Sequence, residues 1–143
     1  MAVKTLGYFT NNEFVQSTTD KFYPVFNPST GEQIAQMPRC TTAEVSKVID
    51  NAHEAYKKWS RVPVIKRVQI LYKVRDLLIE HMDELTRLCA TEHGKNWEES
   101  KGDILKAKEG TELACSMPSL LQGESLMDAS SGYDTVLYRE SMG

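Results

Sequence analysis

The sequence holds little of what metal and disulfide sites are made from. Its three cysteines, Cys40, Cys89 and Cys115, are an odd number at wide spacings. That argues against a disulfide framework and for a reducing compartment, with the cytoplasm as the default. No Cys-x-x-Cys pair and no His-Glu-x-x-His stretch is present, so a transition-metal site has no support. There is no G-x-G-x-x-G and no Walker loop, and thus no evident cradle for a dinucleotide or triphosphate. Apolar runs fall short of the roughly 18 residues that cross a bilayer. The start, Met1-Ala2-Val3-Lys4-Thr5, shows no apolar h-region or cleavage pattern, so no secretory signal is expected. An excess of positive charge is missing too. The 17 basic and 20 acidic residues are mixed along the chain, which excludes nucleic acid and anionic membrane as expected partners.

What remains is an ordinary globular composition, 41% hydrophobic and 26% charged, over 143 residues. That length suits one domain with a core of useful size. The first forty residues read as strands. Leu6 to Thr10 and Glu13 to Gln16 flank Asn11-Asn12, where asparagine tolerates the positive φ of a two-residue hairpin turn. Phe22 to Phe26 and Gln33 to Met37 flank Asn27-Pro28-Ser29-Thr30-Gly31-Glu32, a turn with Pro28 fixing φ and Gly31 supplying a left-handed position.

Four amphipathic helices follow. Thr41 and Glu44 have capping-box spacing ahead of an apolar stripe running from Val45 through Val48, Ile49 and Ala52 to Trp59. Pro63 suits the first turn of a second helix. Val64, Val68, Leu71, Val74 and Leu78 form its main face, widened by Ile65, Ile70 and Leu77 to a girth expected to pack on two sides. The phase changes near His81 to Asp83, and a third helix carrying Leu85, Leu88 and Cys89 stops at Gly94. Asn96 caps a fourth, which continues through Ile104, Leu105, Leu113 and Cys115 to about Pro118. Gly123 to Gly132 reads as a polar connection, and Tyr133 to Arg139 as a single terminal strand without a local partner.

Spacing alone assigns no chemistry. Cys89 and His93 are four apart on one helix, and read either as a pair that could meet or as a buried thiol beside a helix-end histidine. Lys101, Lys106, Lys108 and Glu109 read as a solvated helix face. A soluble α+β domain of unstated purpose, or a small helical interaction module, fits these observations.

Three stretches add to that reading. They are the Asn27 to Glu32 turn, Ala52-His53-Glu54-Ala55-Tyr56-Lys57-Lys58-Trp59, and Glu92-His93-Gly94-Lys95. In order and spacing they resemble the N-terminal signature of the aldehyde dehydrogenase superfamily, and Arg67 sits where that family usually has an arginine. The resemblance runs from about Leu6 onward. Glu112 to Glu124, and Leu137-Tyr138-Arg139 before Met142-Gly143, are similar to its methylmalonate-semialdehyde, CoA-acylating branch. That branch carries an arginine early in the fourth helix that is thought to hold the substrate carboxylate. Here the matching residue is Lys106, a point charge in place of a bidentate fork. A semialdehyde dehydrogenase that releases a free acid is therefore a second reading.

The resemblance implies an α/β fold in which residues 1–143 form the N-terminal part of a Rossmann-type cofactor domain. Residues 133–143 would begin a hairpin that pairs across subunits of a homo-oligomer, a dimer or tetramer. It implies an NAD-dependent reaction in which a cysteine thiolate attacks a small aldehyde, hydride leaves to NAD, and coenzyme A takes the acyl group from the thioester. The nucleophile, its base, the oxyanion-holding asparagine and the cofactor loop belong to later segments of such proteins, so no catalytic residue is assigned to this chain. Some members hold a structural monovalent cation through a main-chain carbonyl and a carboxylate, which would here be Val25 and Glu92; Glu92 also reads simply as a helix end.

Overall fold

The computed structural model describes residues 3–141. Met1-Ala2 and Met142-Gly143, part of the leader and branch readings, lie outside the described residues. Strand β1 (Lys4–Thr5) is followed by a hairpin of β2 (Tyr8–Thr10) and β3 (Glu13–Val15), then by β4 (Phe22–Phe26) and β5 (Gln33–Pro38). The asparagine turn is as expected, with Asn11 at φ 49° and Asn12 at φ 65°. That backbone matches the twist of the flanking strands. Phe9 and Phe14 face each other across it with ring centroids 5.0 Å apart. Sequence reading missed β1, which pairs parallel with β5, Lys4 opposite Ala35. Two residues are too few for a periodic signal, and only β5 defines them. The resulting sheet has the order β1-β5-β4.

Helices α1 (Thr42–Trp59), α2 (Val64–Glu80) and α3 (Met82–His93) occupy the expected spans, while α4 (Trp97–Cys115) stops short of the expected Pro118. The capping box is complete: the Glu44 N–H donates to the Thr41 hydroxyl at 3.3 Å, and the Thr41 N–H to the Glu44 carboxylate at 2.7 Å. The Glu44 carboxylate also accepts from the Ser17 hydroxyl at 2.8 Å and the Thr18 N–H at 2.8 Å. One side chain thus ties the β3–β4 connection to the start of α1. Those donors, the Thr18 and Thr41 backbone N–H groups first, hold its carboxyl at about 2.

The core lies where α2, α3 and α4 meet. Val68, Thr86, Ser100 and Cys115 are its buried residues, one or two from each helix. Two-sided packing of α2 is not what the described residues show. Val68 is 4% exposed, but Ile65 on the widened flank is 66% exposed, and Ile70 and Leu77 are also open. Among the described residues α2 packs mainly on α4, with smaller contacts to α5 and α3, and its outer apolar flank stays largely exposed. A short helix, α5 (Met117–Leu120), continues beyond the α4 cap with Pro118 in its first turn.

The chain's end differs from the sequence reading in two ways. Residues 124–130 are a strand, β6 (Glu124–Ser130), and not a connection. The terminal strand β7 (Tyr133–Leu137) therefore has a local partner, pairing antiparallel from Glu124 opposite Leu137 to Ser130 opposite Tyr133. Both strands are exposed throughout. With neither face on a core, β6 has no need to alternate, and periodicity cannot reveal it. A bulge places Asp128 at φ 53°, where its N–H donates to the Asp134 carboxylate at 2.9 Å. Gly123 is required at the hairpin mouth, since a Cβ there would run into the Leu137 carbonyl.

Candidate functional site

The face of α4 that points away from the core carries the strongest candidate. Asn96 caps the helix by accepting from the Glu99 N–H at 2.9 Å. Ser100, Ile104 and Cys115 turn inward, so Gly102, Leu105, Lys106, Glu109, Gly110 and Leu113 share the opposite arc. A methyl group on Gly102 or Gly110 would meet no atom within 4 Å. Glycine within a helix costs about 0.5–1 kcal/mol relative to alanine, and nothing among the described residues offsets it by packing closely there.

Lys106 is 79% exposed on this face, and its ammonium lies 2.7 Å from the Glu109 carboxylate. The Glu109 hydrogen bond and charge raise the ammonium above the usual lysine range. The same contact lowers the Glu109 carboxyl. Lys108 is engaged separately, 3.1 Å from Glu112. The lysine expected to hold a substrate carboxylate thus sits on open surface with a carboxylate of its own helix beside it.

A second junction joins two of the sequence motifs. The Asn27 carboxamide accepts from the Ser29 N–H at 2.9 Å, and the Asn27 carbonyl from the Gly31 N–H at 2.8 Å, closing the turn. Gly94 ends α3 at φ 71°, and a Cβ there would lie 2.8 Å from Pro28 Cγ and 3.3 Å from Ser29 Oγ. The turn is therefore seated on the end of α3. Val25 is half-buried in β4 beside a bulge, and Glu92 is exposed in the last turn of α3. Among the described residues no group of three or more His, Cys, Asp or Glu side chains is placed to hold a metal. Any cation here would depend on main-chain oxygens, as hard cations accept.

Asp103 was not singled out from sequence, where it is one of many charges on α4. Its carboxylate receives the Lys95 ammonium at 2.5 Å and the Cys89 thiol at 3.7 Å. This pulls down the carboxyl and raises the Lys95 ammonium, the Lys95–Asp103 hydrogen bond being the main cause of both. Cys89 thus meets a carboxylate from α4 and makes no described hydrogen bond to His93. Cys115 is buried in the core, as expected of an inert thiol. No described cysteine is hydrogen-bonded to a histidine base, and β5 leads into α1 through Arg39-Cys40-Thr41 with no glycine to let a phosphate approach.

Comparison with known proteins supplies what the geometry leaves open. Residues 14–143 match the family model described as the aldehyde dehydrogenase family. The chain is 42% identical over 141 residues to malonate-semialdehyde dehydrogenase 2 of Oceanobacillus iheyensis, covering 99% of this chain and 29% of that protein. It is 38% identical over 141 residues to malonate-semialdehyde dehydrogenase of Listeria monocytogenes, with the same coverage. Among solved structures, methylmalonate-semialdehyde dehydrogenase of Oceanimonas doudoroffii superposes with a TM-score of 0.91 at 32% identity, over 98% of this chain and 28% of that one. A Sinorhizobium meliloti protein assigned to the same activity and solved with NAD gives 0.92 at 29% identity, over 99% and 29%. The chain spans about 29% of the length of the curated relatives it matches.

Proposed function

This chain belongs to the aldehyde dehydrogenase family, and from that premise we propose that it is the N-terminal segment of an NAD-dependent dehydrogenase of malonate or methylmalonate semialdehyde. The identity of 42% over almost the whole chain to a malonate-semialdehyde dehydrogenase carries this reading. The NAD-bound neighbour supports the cofactor. Transfer of the acyl group to coenzyme A, a homo-oligomer paired through the hairpin that includes 133–143, and a cytoplasmic location are further parts of the same proposal. The hairpin's exposed strands and free edges suit such pairing.

No residue of this chain is assigned to NAD or to coenzyme A. On this reading both are held by polypeptide corresponding to the remainder of the relatives. The thiols here lack a histidine partner, so the 143-residue chain by itself should not oxidise aldehydes. NADH absorbance followed with NAD, coenzyme A and several aldehydes tests this; turnover above a cysteine-free control would place the chemistry within the chain.

Lys106 is the residue of this chain that we connect to substrate choice, its ammonium drawn to the carboxylate of an acidic semialdehyde. A charge-assisted hydrogen bond of this kind is worth roughly 1.5–3 kcal/mol, or about tenfold to over a hundredfold in kcat/KM if it persists in the transition state. In the complete enzyme Lys106→Met should penalise acidic semialdehydes selectively over propanal. Lys106→Arg should keep or improve the acidic substrate. Equal losses on both substrate kinds would make the lysine structural. Val25 and Glu92 are proposed as two of the ligands of a structural monovalent cation.

A further inference from the structure

We infer that Glu109 sets how strongly Lys106 discriminates acidic from neutral aldehydes, by occupying its ammonium as an internal carboxylate. The inference rests on the reading of Lys106 given above. On the outward arc of α4 between Gly102 and Leu113, Lys106 and Glu109 are the two charges, and the rest of the arc is glycine and leucine. They are one helical turn apart and 2.7 Å from contact to contact. Of the neighbouring charges, Asp103 is in contact with Lys95 and Glu112 with Lys108.

A substrate carboxylate arriving at Lys106 therefore meets an ammonium already neutralised at close range. It must displace Glu109 or share the three N–H donors with it, and sharing sets two carboxylates against each other. A neutral aldehyde meets neither obstacle. Glu109 thus narrows the preference that Lys106 creates. Exposed pairs of this kind are weak enough for a ligand to exchange into, which sets the expected effect at about two- to fivefold.

The test is a double-mutant cycle in the complete enzyme, measuring the ratio of kcat/KM for malonate semialdehyde to that for propanal. Glu109→Gln keeps the side chain's shape and removes its charge. It should raise the ratio about two- to fivefold in the parent and leave it unchanged in a Lys106→Met background. An equal rise in both backgrounds would mean that Glu109 acts through long-range charge, and no rise in the parent would mean that it does not compete; either result overturns the inference. Failure of the underlying reading shows separately, as a Lys106→Met ratio equal to the parent's.

Discussion

The α2–α4 layer and the β6–β7 hairpin are both regular structure, yet they end in opposite environments. The helices bury Val68, Thr86, Ser100 and Cys115 against one another, whereas every residue of both hairpin strands is exposed. Hairpins of two strands are marginal in water without a face to pack on. The whole chain exposes 11,271 Å², where a compact protein of 16.2 kDa would expose about 7,500 Å². The contrast teaches that an element can form its full hydrogen-bond pattern without burying a face. In this chain the hairpin and the outer flanks of α2 and α4 are formed ahead of any surface that would cover them.

Truncation should separate the two regions most widely. Val68→Ala, in the helical core, should cost about 2 kcal/mol. Val136→Ala, in a strand where that residue is 55% exposed, should stay within about 0.5 kcal/mol. Urea unfolding of both variants measures this, and similar losses would break the contrast.

Two glycines make a narrower comparison. Gly94 and Gly31 have nearly the same backbone, φ 71° and 73°, but only Gly94 faces a neighbour within 4 Å. Alanine at Gly31 meets the left-handed conformation alone, a cost of about 1 kcal/mol. Alanine at Gly94 must also push back Pro28, for about 2–3 kcal/mol in all. The shift in thermal midpoint should be clearly larger for Gly94→Ala, and equal shifts would show that the turn does not rest on α3.

The smallest effect is confined to acid. Glu44 has its folded-state carboxyl lowered from 4.5 to about 2. Its contribution is present in full above pH 4.5 and is lost as pH falls toward 2, because protonation favours the unfolded chain first. Stability profiles of the parent and Glu44→Gln should therefore differ in slope within that window and run parallel above it. A parallel course throughout would mean that the carboxylate does not tie α1 to the β3–β4 connection.

Much of this was legible from sequence because the signals are short-range. Asn11-Asn12, the Asn27 to Glu32 turn, the Thr41 and Glu44 box, Gly94 and the Asn96 cap each act within a few residues, so spacing alone identifies them. The family was legible in three motifs and in the Glu112 to Glu124 stretch. For the candidate site, sequence singled out Lys106 but gave no weight to Asp103, whose meaning depends on Lys95 and Cys89 reaching it from other segments.

By itself, then, the sequence determined where the first three helices begin and end, where the fourth begins, the positive-φ turns at Asn11-Asn12, Gly31 and Gly94, and to which family the chain belongs. Tertiary structure alone decided that β1 joins β5, that residues 124–130 form a strand, and that the Asn27 to Glu32 turn sits on Gly94. It also decided that one side of α2 is covered while Lys106 stands open beside Glu109. The reason is physical. Caps and turns are satisfied by atoms a few bonds away, whereas strand pairing, burial and the company a charge keeps depend on what distant parts of the chain bring alongside.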